Sequence, residues 1–229
     1  MPHRRPPLAI LAALTCLGCT SHESAQSTQA SARLRILPAD TAAARSLPHK
    51  GAIVQVAHFR DALGEHTLLL TQTGAFPTPG LKLDAGEDAH YDAELYAYDY
   101  TGTGASRSLL WRTVDFQRDC RFDLYAGFLP GTTTITDLDH DGTAEVTFLY
   151  TTSCRSDVSP ATRKLIMHQG ATKYAVRGTT RLPRGYGGGD MRIDPSFGRA
   201  PAALREFAVR RWNQYVAVDS FKQFDHFPL

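Results

Sequence analysis

Short runs of β-branched, aromatic and aliphatic residues, separated by turn-forming residues, constrain the fold of this chain most strongly. The runs cover residues 52–56, 67–71, 94–100, 108–114, 146–151, 164–168 and 173–177. Such short runs are typical of strands, and the glycine-containing segments 101–104 and 169–170 are typical of hairpin turns. The sequence therefore predicts a mainly β fold of antiparallel sheets, arranged either as an incomplete propeller or as a sandwich.

The C-terminal part of the chain departs from the strand pattern. Its apolar residues recur at steps of three and four, as on one face of an α-helix, and they are Leu204, Phe207, Ala208, Trp212 and Tyr215. Pro201 suits the first helical position, where the missing N–H would have no partner. We expect a C-terminal helix over about residues 201–216. Its apolar face either covers the core of a sheet, which the pattern favours, or binds a partner.

Residues 1–18 have the composition of an export signal. Two arginines precede an apolar run over residues 8–17, and about ten residues are too few to span a membrane but suit a cleaved signal peptide. The run ends in Leu17-Gly18-Cys19, which resembles the lipobox of bacterial lipoprotein signals, although Cys16 stands where leucine is usual. The resemblance implies a lipid on Cys19. The alternative is an ordinary cleaved signal and a soluble exported protein.

The segment after Cys19 is rich in Ser, Thr, Gln and Ala and has no apolar periodicity. Such a composition buries too little apolar surface to fold, so residues 19–32 are predicted to form a flexible tether. No later segment has the composition of an interdomain linker, and residues 33–229 are predicted to form a single β-rich domain. The predicted location is the periplasmic or cell-surface side of the outer membrane, because the residue after the lipidated cysteine is polar and not acidic.

The charge balance of the mature chain argues against nucleic acid as a partner. The whole chain has 25 Lys and Arg against 23 Asp and Glu, and residues 1–18 contain two arginines and no acid. Removal of the signal therefore leaves equal numbers of basic and acidic residues. A nucleic-acid-binding surface begins with an excess of positive charge, which this chain does not have.

The cysteine content suits an exported protein. Of the four cysteines, Cys16 leaves with the signal and Cys19 carries the lipid, so that Cys120 and Cys154 remain. An even pair in an oxidising compartment predicts a disulfide between them. The alternative is two buried thiols that do not meet.

The sharpest chemical feature is the segment 137–142, which has the pattern D-x-D-x-D-G. Alternate acids in a tight loop direct several carboxylates to one centre, and hard oxygen donors in this number suit Ca²⁺. The predicted ligands are Asp137, Asp139, Asp141, Glu145 and the backbone carbonyl of Thr143. An EF-hand would need a glutamate where Phe148 stands and helices on both sides, whereas both flanks read as strands. The alternative is an acidic turn whose carboxylates bind its own backbone amides.

This loop between strands resembles the calcium-type loops of FG-GAP and VCBS repeats in extracellular propeller proteins. The chain also resembles a family of bacterial surface proteins that carries the label of surface polysaccharide biosynthesis. The segments that carry this resemblance are 135–139, 145–150, 154–160, 164–168, 173–178 and 194–197, and it covers about residues 51–212. The resemblance implies a connection with envelope glycan and brings no catalytic residues with it.

No motif in the sequence demands an enzyme. The G-x-S-x-G pattern of a nucleophile elbow is absent, and the glycine-rich segment 184–190 lacks the lysine of a phosphate-binding loop. His58 and His66 flank Asp61, and histidines in such positions are most often surface or strand residues. We expect an envelope-anchored, non-catalytic binding or structural module whose partner is a glycan or an envelope protein. The alternative is an enzyme acting on cell-surface polysaccharide through paired carboxylates.

A weak internal repeat is also present. An acidic turn, a strand and a hairpin follow one another in two places, one starting at Asp61 and the other at Asp137, at an offset of about 70–76 residues. The sequence thus favours two copies of one β unit, with chance similarity between short strands as the alternative.

Overall fold

The computed structural model describes residues 33–82 and 88–217, and strands make up most of its regular structure. In chain order they are β1 (Arg35–Leu37), β2 (Ala52–Asp61), β3 (Gly64–Pro77), β4 (Tyr91–Thr101), β5 (Ser108–Cys120), β6 (Asp123–Phe128), β7 (Thr134–Thr136), β8 (Glu145–Arg155), β9 (Thr162–Gln169), β10 (Thr172–Thr179) and β11 (Met191–Ile193). Two α-helices accompany them, α1 (Thr41–Arg45) and α2 (Ala202–Tyr215). The predicted signal peptide 1–18, the lipidation site Cys19 and the predicted tether lie outside the described residues.

The strands pair into two antiparallel sheets. The first has the order β1-β2-β3-β4-β5, and the second has the order β11-β10-β9-β8-β6, with β7 also paired to β8. The sheets do not close into a barrel, and side chains from both meet in one core, as in a β-sandwich. The predicted mainly β, antiparallel fold is therefore confirmed, and its form is a sandwich rather than an incomplete propeller.

Alternate residues of the long strands fill the space between the sheets. The first sheet contributes Phe59, Leu68, Leu70, Leu95, Ala97 and Trp111, and the second contributes Val146, Phe148, Tyr150, Ile166 and Ala175. Burial of each large apolar side chain stabilises the fold by about 1.5–3 kcal/mol relative to exposure. This shared core fixes which face of each strand points inward, because a shift of one residue would turn the whole apolar set outward.

Helix α2 covers the outer face of the second sheet, as the apolar pattern predicts. Leu204, Ala208 and Trp212 are buried against the strands, and Phe207 and Tyr215 pack beside them. Pro201 lies one position before the helix, at its N-cap, rather than at its first residue. In the described parts of the chain, no helix is long and apolar enough to cross a membrane.

Helix α1 and the segment after it cover the outer face of the first sheet. Ala44 is buried against a ladder of tyrosines on β4, formed by Tyr96, Tyr98 and Tyr100. The Tyr98 hydroxyl accepts a hydrogen bond from the backbone N–H of Lys50 at 3.1 Å. The sequence analysis did not predict α1, because five residues are too few to show helical periodicity.

The predicted disulfide is present and joins the two sheets. Cys120 ends β5 of the first sheet, Cys154 lies near the end of β8 in the second, and their Cα atoms are 5.6 Å apart. Cys120 is fully buried. The bond therefore fastens one end of the sandwich.

Each sheet contains a meander of four strands, in the order that the repeat predicts. Strands β2 to β5 follow one another in the first sheet, and β7 to β10 follow one another in the second. Asp61 is the last residue of β2, directly before the two-residue turn to β3, and residues 137–144 form the connection between β7 and β8. The two acidic turns touch, since the N–H of Ala62 donates to the carbonyl of Gly142 at 2.8 Å.

Candidate metal centre

The acidic loop between β7 and β8 has a backbone that only certain residues adopt easily. Gly142 has a φ of +86° and His140 a φ of +59°, so the chain enters the left-handed region twice in three residues. Glycine takes this conformation without steric cost, which accounts for the glycine that ends the D-x-D-x-D-G pattern. These turns direct the alternate acids of the loop toward a common point.

Three of the predicted ligands meet at that point. One carboxylate oxygen from each of Asp137, Asp139 and Glu145 lies within 4.8 Å of the others. Asp141 lies at the edge of this group, and its Oδ1 accepts a hydrogen bond from the N–H of Thr143 at 2.7 Å. The loop therefore combines both interpretations of the sequence. Three acids form a cluster, and backbone N–H groups of the loop also donate hydrogen bonds to Asp137, Asp141 and Glu145.

Glu145 is the most enclosed member of the cluster, with no exposed surface. Burial raises the pKa of Glu145 to about 7, and the negative charges of Asp139 and Asp137 act in the same direction. Hydrogen bonds to its Oε2 from the N–H of Leu138 at 2.8 Å and the hydroxyl of Thr136 at 3.0 Å only partly offset these effects. A buried carboxylate in this position needs either a proton or a cation to balance its charge.

Gln169, at the end of β9, completes the cluster and was missed by the sequence analysis. Its Nε2 lies 2.9 Å from Asp139 Oδ2, 3.2 Å from Asp141 Oδ2 and 3.3 Å from Glu145 Oε1. One amide group with two hydrogens thus faces three carboxylates. Rotation of the amide by half a turn exchanges its nitrogen and oxygen, so the same side chain can present a donor to the carboxylates or an oxygen to a cation.

The residues of the cluster fit a hard divalent cation. The Oδ1 atom of Asp139 is buried and accepts no hydrogen bond from the described residues, so one donor atom remains available inside the group. Carboxylate and amide oxygens are the donors that Ca²⁺ prefers, and Ca²⁺ tolerates the irregular geometry of a loop better than Mg²⁺ does.

A second group of ionisable residues lies buried beside the loop. His66 Nδ1 is 2.8 Å from Asp99 Oδ2, and His66 Nε2 is 3.0 Å from Asp61 Oδ1. His66 is a residue of strand β3, which is one of the two positions that the sequence suggested. The three side chains are at most 2% exposed, so His66 is also a buried partner of two acids. Only the packing of β3 on β4 brings Asp99 to His66, and no local pattern signals this contact.

The electrostatics of this buried group favour a charged imidazole. Burial alone would lower the pKa of His66, but hydrogen bonds and negative charge from Asp61 and Asp99 outweigh it and raise the pKa to about 9. Burial likewise opposes ionisation of Asp61, yet hydrogen bonds from His66 and Ala144 lower its pKa. Burial raises the pKa of Asp99 despite the bond from His66. The imidazolium therefore lies between two carboxylates of unequal acidity.

Two surface cavities lie away from the acidic loop. One of about 460 Å³ is lined by Thr41, Arg45, His49 and residues 51–56 along the edge of β2. The other, of about 520 Å³, is lined by Thr162, Lys164, Arg177, Gly178, Asp190, Met191 and Arg192. Neither is lined by two carboxylates, which is what the glycosidase alternative requires.

Comparisons of the chain with protein-family models, with curated proteins and with solved structures give no match. Among the described residues, the acidic loop and Gln169 form the group best suited to bind a ligand.

Proposed function

We propose that this chain is an envelope-anchored, non-catalytic module whose acidic loop binds Ca²⁺. The observation that carries the proposal is the convergence of Asp137, Asp139 and Glu145 within 4.8 Å around a fully buried carboxylate. Asp141 and the carbonyl of Thr143 complete the set predicted from the sequence. We add Gln169, through its amide oxygen, as a ligand from the neighbouring strand.

The role of the ion is structural in this proposal. A bound Ca²⁺ supplies positive charge that balances the carboxylates and removes their mutual repulsion. The chain itself fixes the geometry, because Glu145 is the first residue of β8 and Gln169 is its register partner at the end of β9. Ligands from the loop and from both strands would fasten the loop to the adjoining ends of β8 and β9.

A non-catalytic role agrees with the environment of the buried acids. The Asp61–His66–Asp99 group has the residue types of an acid–base site, but its side chains are at most 2% exposed and no substrate could reach them. The two cavities described above lack a pair of carboxylates. An enzyme acting on surface polysaccharide is therefore the weaker alternative.

Calcium should stabilise the protein measurably. Extracellular calcium sites commonly have a Kd near 10⁻⁴–10⁻³ M, so that about 1 mM Ca²⁺ should raise the free energy of unfolding by on the order of 1 kcal/mol. Thermal unfolding in millimolar calcium and in chelator checks this. Asp139→Asn should abolish the difference, whereas Asp123→Asn, which removes an exposed acid of β6, should preserve it.

Two results would contradict the calcium proposal. One is identical melting of the wild type in calcium and in chelator, together with no heat of binding in calorimetry. The other is an equal response to calcium in the Asp139→Asn and Asp123→Asn variants, which would mean that the ion acts through general charge screening rather than at the loop.

The envelope location rests on the lipobox resemblance of Leu17-Gly18-Cys19. We expect the protein to incorporate a fatty-acid analogue during metabolic labelling and to partition with membranes. Cys19→Ala should lose the label, whereas Cys16→Leu, which restores the usual residue of the pattern, should keep it. If the wild type incorporates no label and remains in the aqueous phase, the result would contradict the lipid anchor and favour a soluble exported protein.

The proposed partner is a glycan or a protein of the cell envelope, bound without turnover. The family resemblance to surface polysaccharide biosynthesis proteins supports this choice. A glycan array combined with a turnover assay on envelope polysaccharide separates binding from catalysis. Binding without product supports the module, and release of sugars supports the enzyme.

A further inference from the structure

We propose that Asp61, held in place by the buried pair of His66 and Asp99, is a positioning residue for the acidic loop. The inference rests on the proposed calcium function, because the loop that Asp61 positions carries the ligands. Asp61 itself lies outside the carboxylate cluster and belongs to the other sheet.

Two hydrogen bonds join the acidic loop to the end of β2 and the turn after it. The Oδ2 of Asp61 accepts a hydrogen bond from the N–H of Ala144 at 2.8 Å. The N–H of Ala62 donates to the carbonyl of Gly142, also at 2.8 Å. These bonds lie on either side of Thr143, whose carbonyl is a predicted ligand, and directly before Glu145. They therefore restrict the backbone of the segment that must present both groups to the ion.

The other oxygen of Asp61 fixes the direction of its carboxylate. Its Oδ1 accepts hydrogen bonds from the N–H of Leu63 at 2.7 Å and from His66 Nε2 at 3.0 Å. Both oxygens of one side chain are thus engaged, one within its own turn and one on the loop. Rotation of the carboxylate to release Ala144 would also break the bond with His66.

His66 is held in turn on its other side. Its Nδ1 lies 2.8 Å from Asp99 Oδ2, and its ring stacks on Phe59 with the ring centres 4.5 Å apart. Charge-assisted hydrogen bonds in a buried site are short and strong, and their directions are set by the strands that carry them. Strands β3 and β4 of the first sheet are thereby connected, through Asp61, to a loop of the second sheet.

The loop needs such support because its own acids repel one another. A group of carboxylates without an ion pushes the loop apart, and reassembly of the loop would cost part of the binding free energy. A loop held by Asp61 is already close to its binding conformation. Loss of an outer partner of this kind commonly weakens metal binding about 10–100-fold, even though the partner never touches the metal.

Asp61→Asn and Asp99→Asn form a matched pair that tests the proposal. Each converts a buried carboxylate bonded to His66 into an amide, but only Asp61 also contacts the loop. Calcium Kd is measured by calorimetry, and stability is measured by urea unfolding in chelator. We expect both variants to lose stability, whereas the calcium Kd should rise about tenfold or more in Asp61→Asn and change much less in Asp99→Asn. Equal calcium Kd values in the two variants and the wild type would overturn the proposal.

Hydrogen exchange of the wild-type protein tests the contact without relying on the folding of a variant or on bound calcium. In chelator, the amide hydrogens of Ala144 and Ala62 should exchange with deuterium as slowly as those of the central strands. Rapid exchange at both amides would show that the turn does not hold the loop, which contradicts the positioning role. Slow exchange without any calcium binding would instead reject the calcium function while the contact between turn and loop stands.

Discussion

His168 should lower the free energy of unfolding as the pH falls from 6.5 toward 3, because the unfolded chain accepts a proton on this residue at a higher pH than the folded protein does. Without calcium, Glu145 acts in the opposite direction between about pH 7 and 4.5, because burial raises its pKa in the folded protein to about 7. Burial, aided by the positive charge of Lys173, lowers the pKa of His168 to about 3. The His168 ring stacks on Trp111 with the ring centres 3.9 Å apart, and its Nε2 forms a hydrogen bond with the Thr113 hydroxyl at 2.9 Å. Its Nδ1 has no hydrogen-bond partner among the described residues. The unfolded chain binds a proton on His168 near pH 6.5, whereas the folded protein binds it only near pH 3. As the pH falls between these two values, His168 lowers the free energy of unfolding by up to about 5 kcal/mol.

His66 should produce the opposite slope on the alkaline side. Its pKa of about 9 lies above that of a histidine in the unfolded chain, because Asp61 and Asp99 outweigh the effect of burial. The folded protein therefore holds this proton more tightly. The associated stability is complete below pH 6.5 and disappears as the pH rises through 9, with a magnitude of about 3 kcal/mol.

Urea unfolding of the wild type, His168→Phe and His66→Gln at several pH values separates the two effects. His168→Phe keeps a ring against Trp111 and should remove the loss of stability that His168 causes below pH 6.5, whereas His66→Gln should flatten the alkaline limb. Each variant is the control for the other, since the slopes have opposite signs. An acid limb that is unchanged in His168→Phe would show that the surrounding carboxylates, and not this histidine, set the acid sensitivity. All measurements are made in chelator so that calcium binding does not contribute.

The features that followed from the sequence are those encoded by local periodicity. Short apolar runs such as 67–71 and 164–168 form strands, and the apolar steps from Leu204 to Trp212 form the buried face of α2. The choice between sandwich and propeller did not follow, because both use strands of the same length and pattern. That choice depends on which sheet the chain joins after Cys120, where a turn of two residues leads from the first sheet into the second.

The parts of the candidate site that lie close together in the sequence were also predictable, whereas its long-range contacts were not. Asp137, Asp139 and Glu145 lie close together in the sequence, so their spacing alone indicates that they converge. Gln169 lies 24 residues beyond Glu145 and reaches it only through the register of β8 with β9. Asp99 lies 33 residues from His66 and reaches it through the pairing of β3 with β4. Contacts of this kind are set by strand register, which a single sequence does not specify.

Removal of the disulfide should produce the other large loss of stability. The sequence separation of Cys120 and Cys154 is 34 residues, and loop closure of that size in the unfolded chain corresponds to about 4 kcal/mol. The double variant Cys120→Ala/Cys154→Ala should lose stability by about this amount in urea unfolding. The wild type in reductant should unfold at nearly the same urea concentration as the double variant, and reductant should not affect the variant further.

The position of the disulfide allows its effect to be separated from that of the acidic loop. Cys154 lies near the end of β8 and Glu145 is its first residue, so the two are about 30 Å apart at roughly 3.3 Å per strand residue. The double variant should therefore lose stability but bind calcium with the Kd of the wild type, at temperatures where it remains folded. A large rise in calcium Kd would mean that the disulfide fixes the alignment of the two sheets as far as the contact of Asp61 with Ala144. In that case the bond would act on the folded state as well as on the unfolded chain.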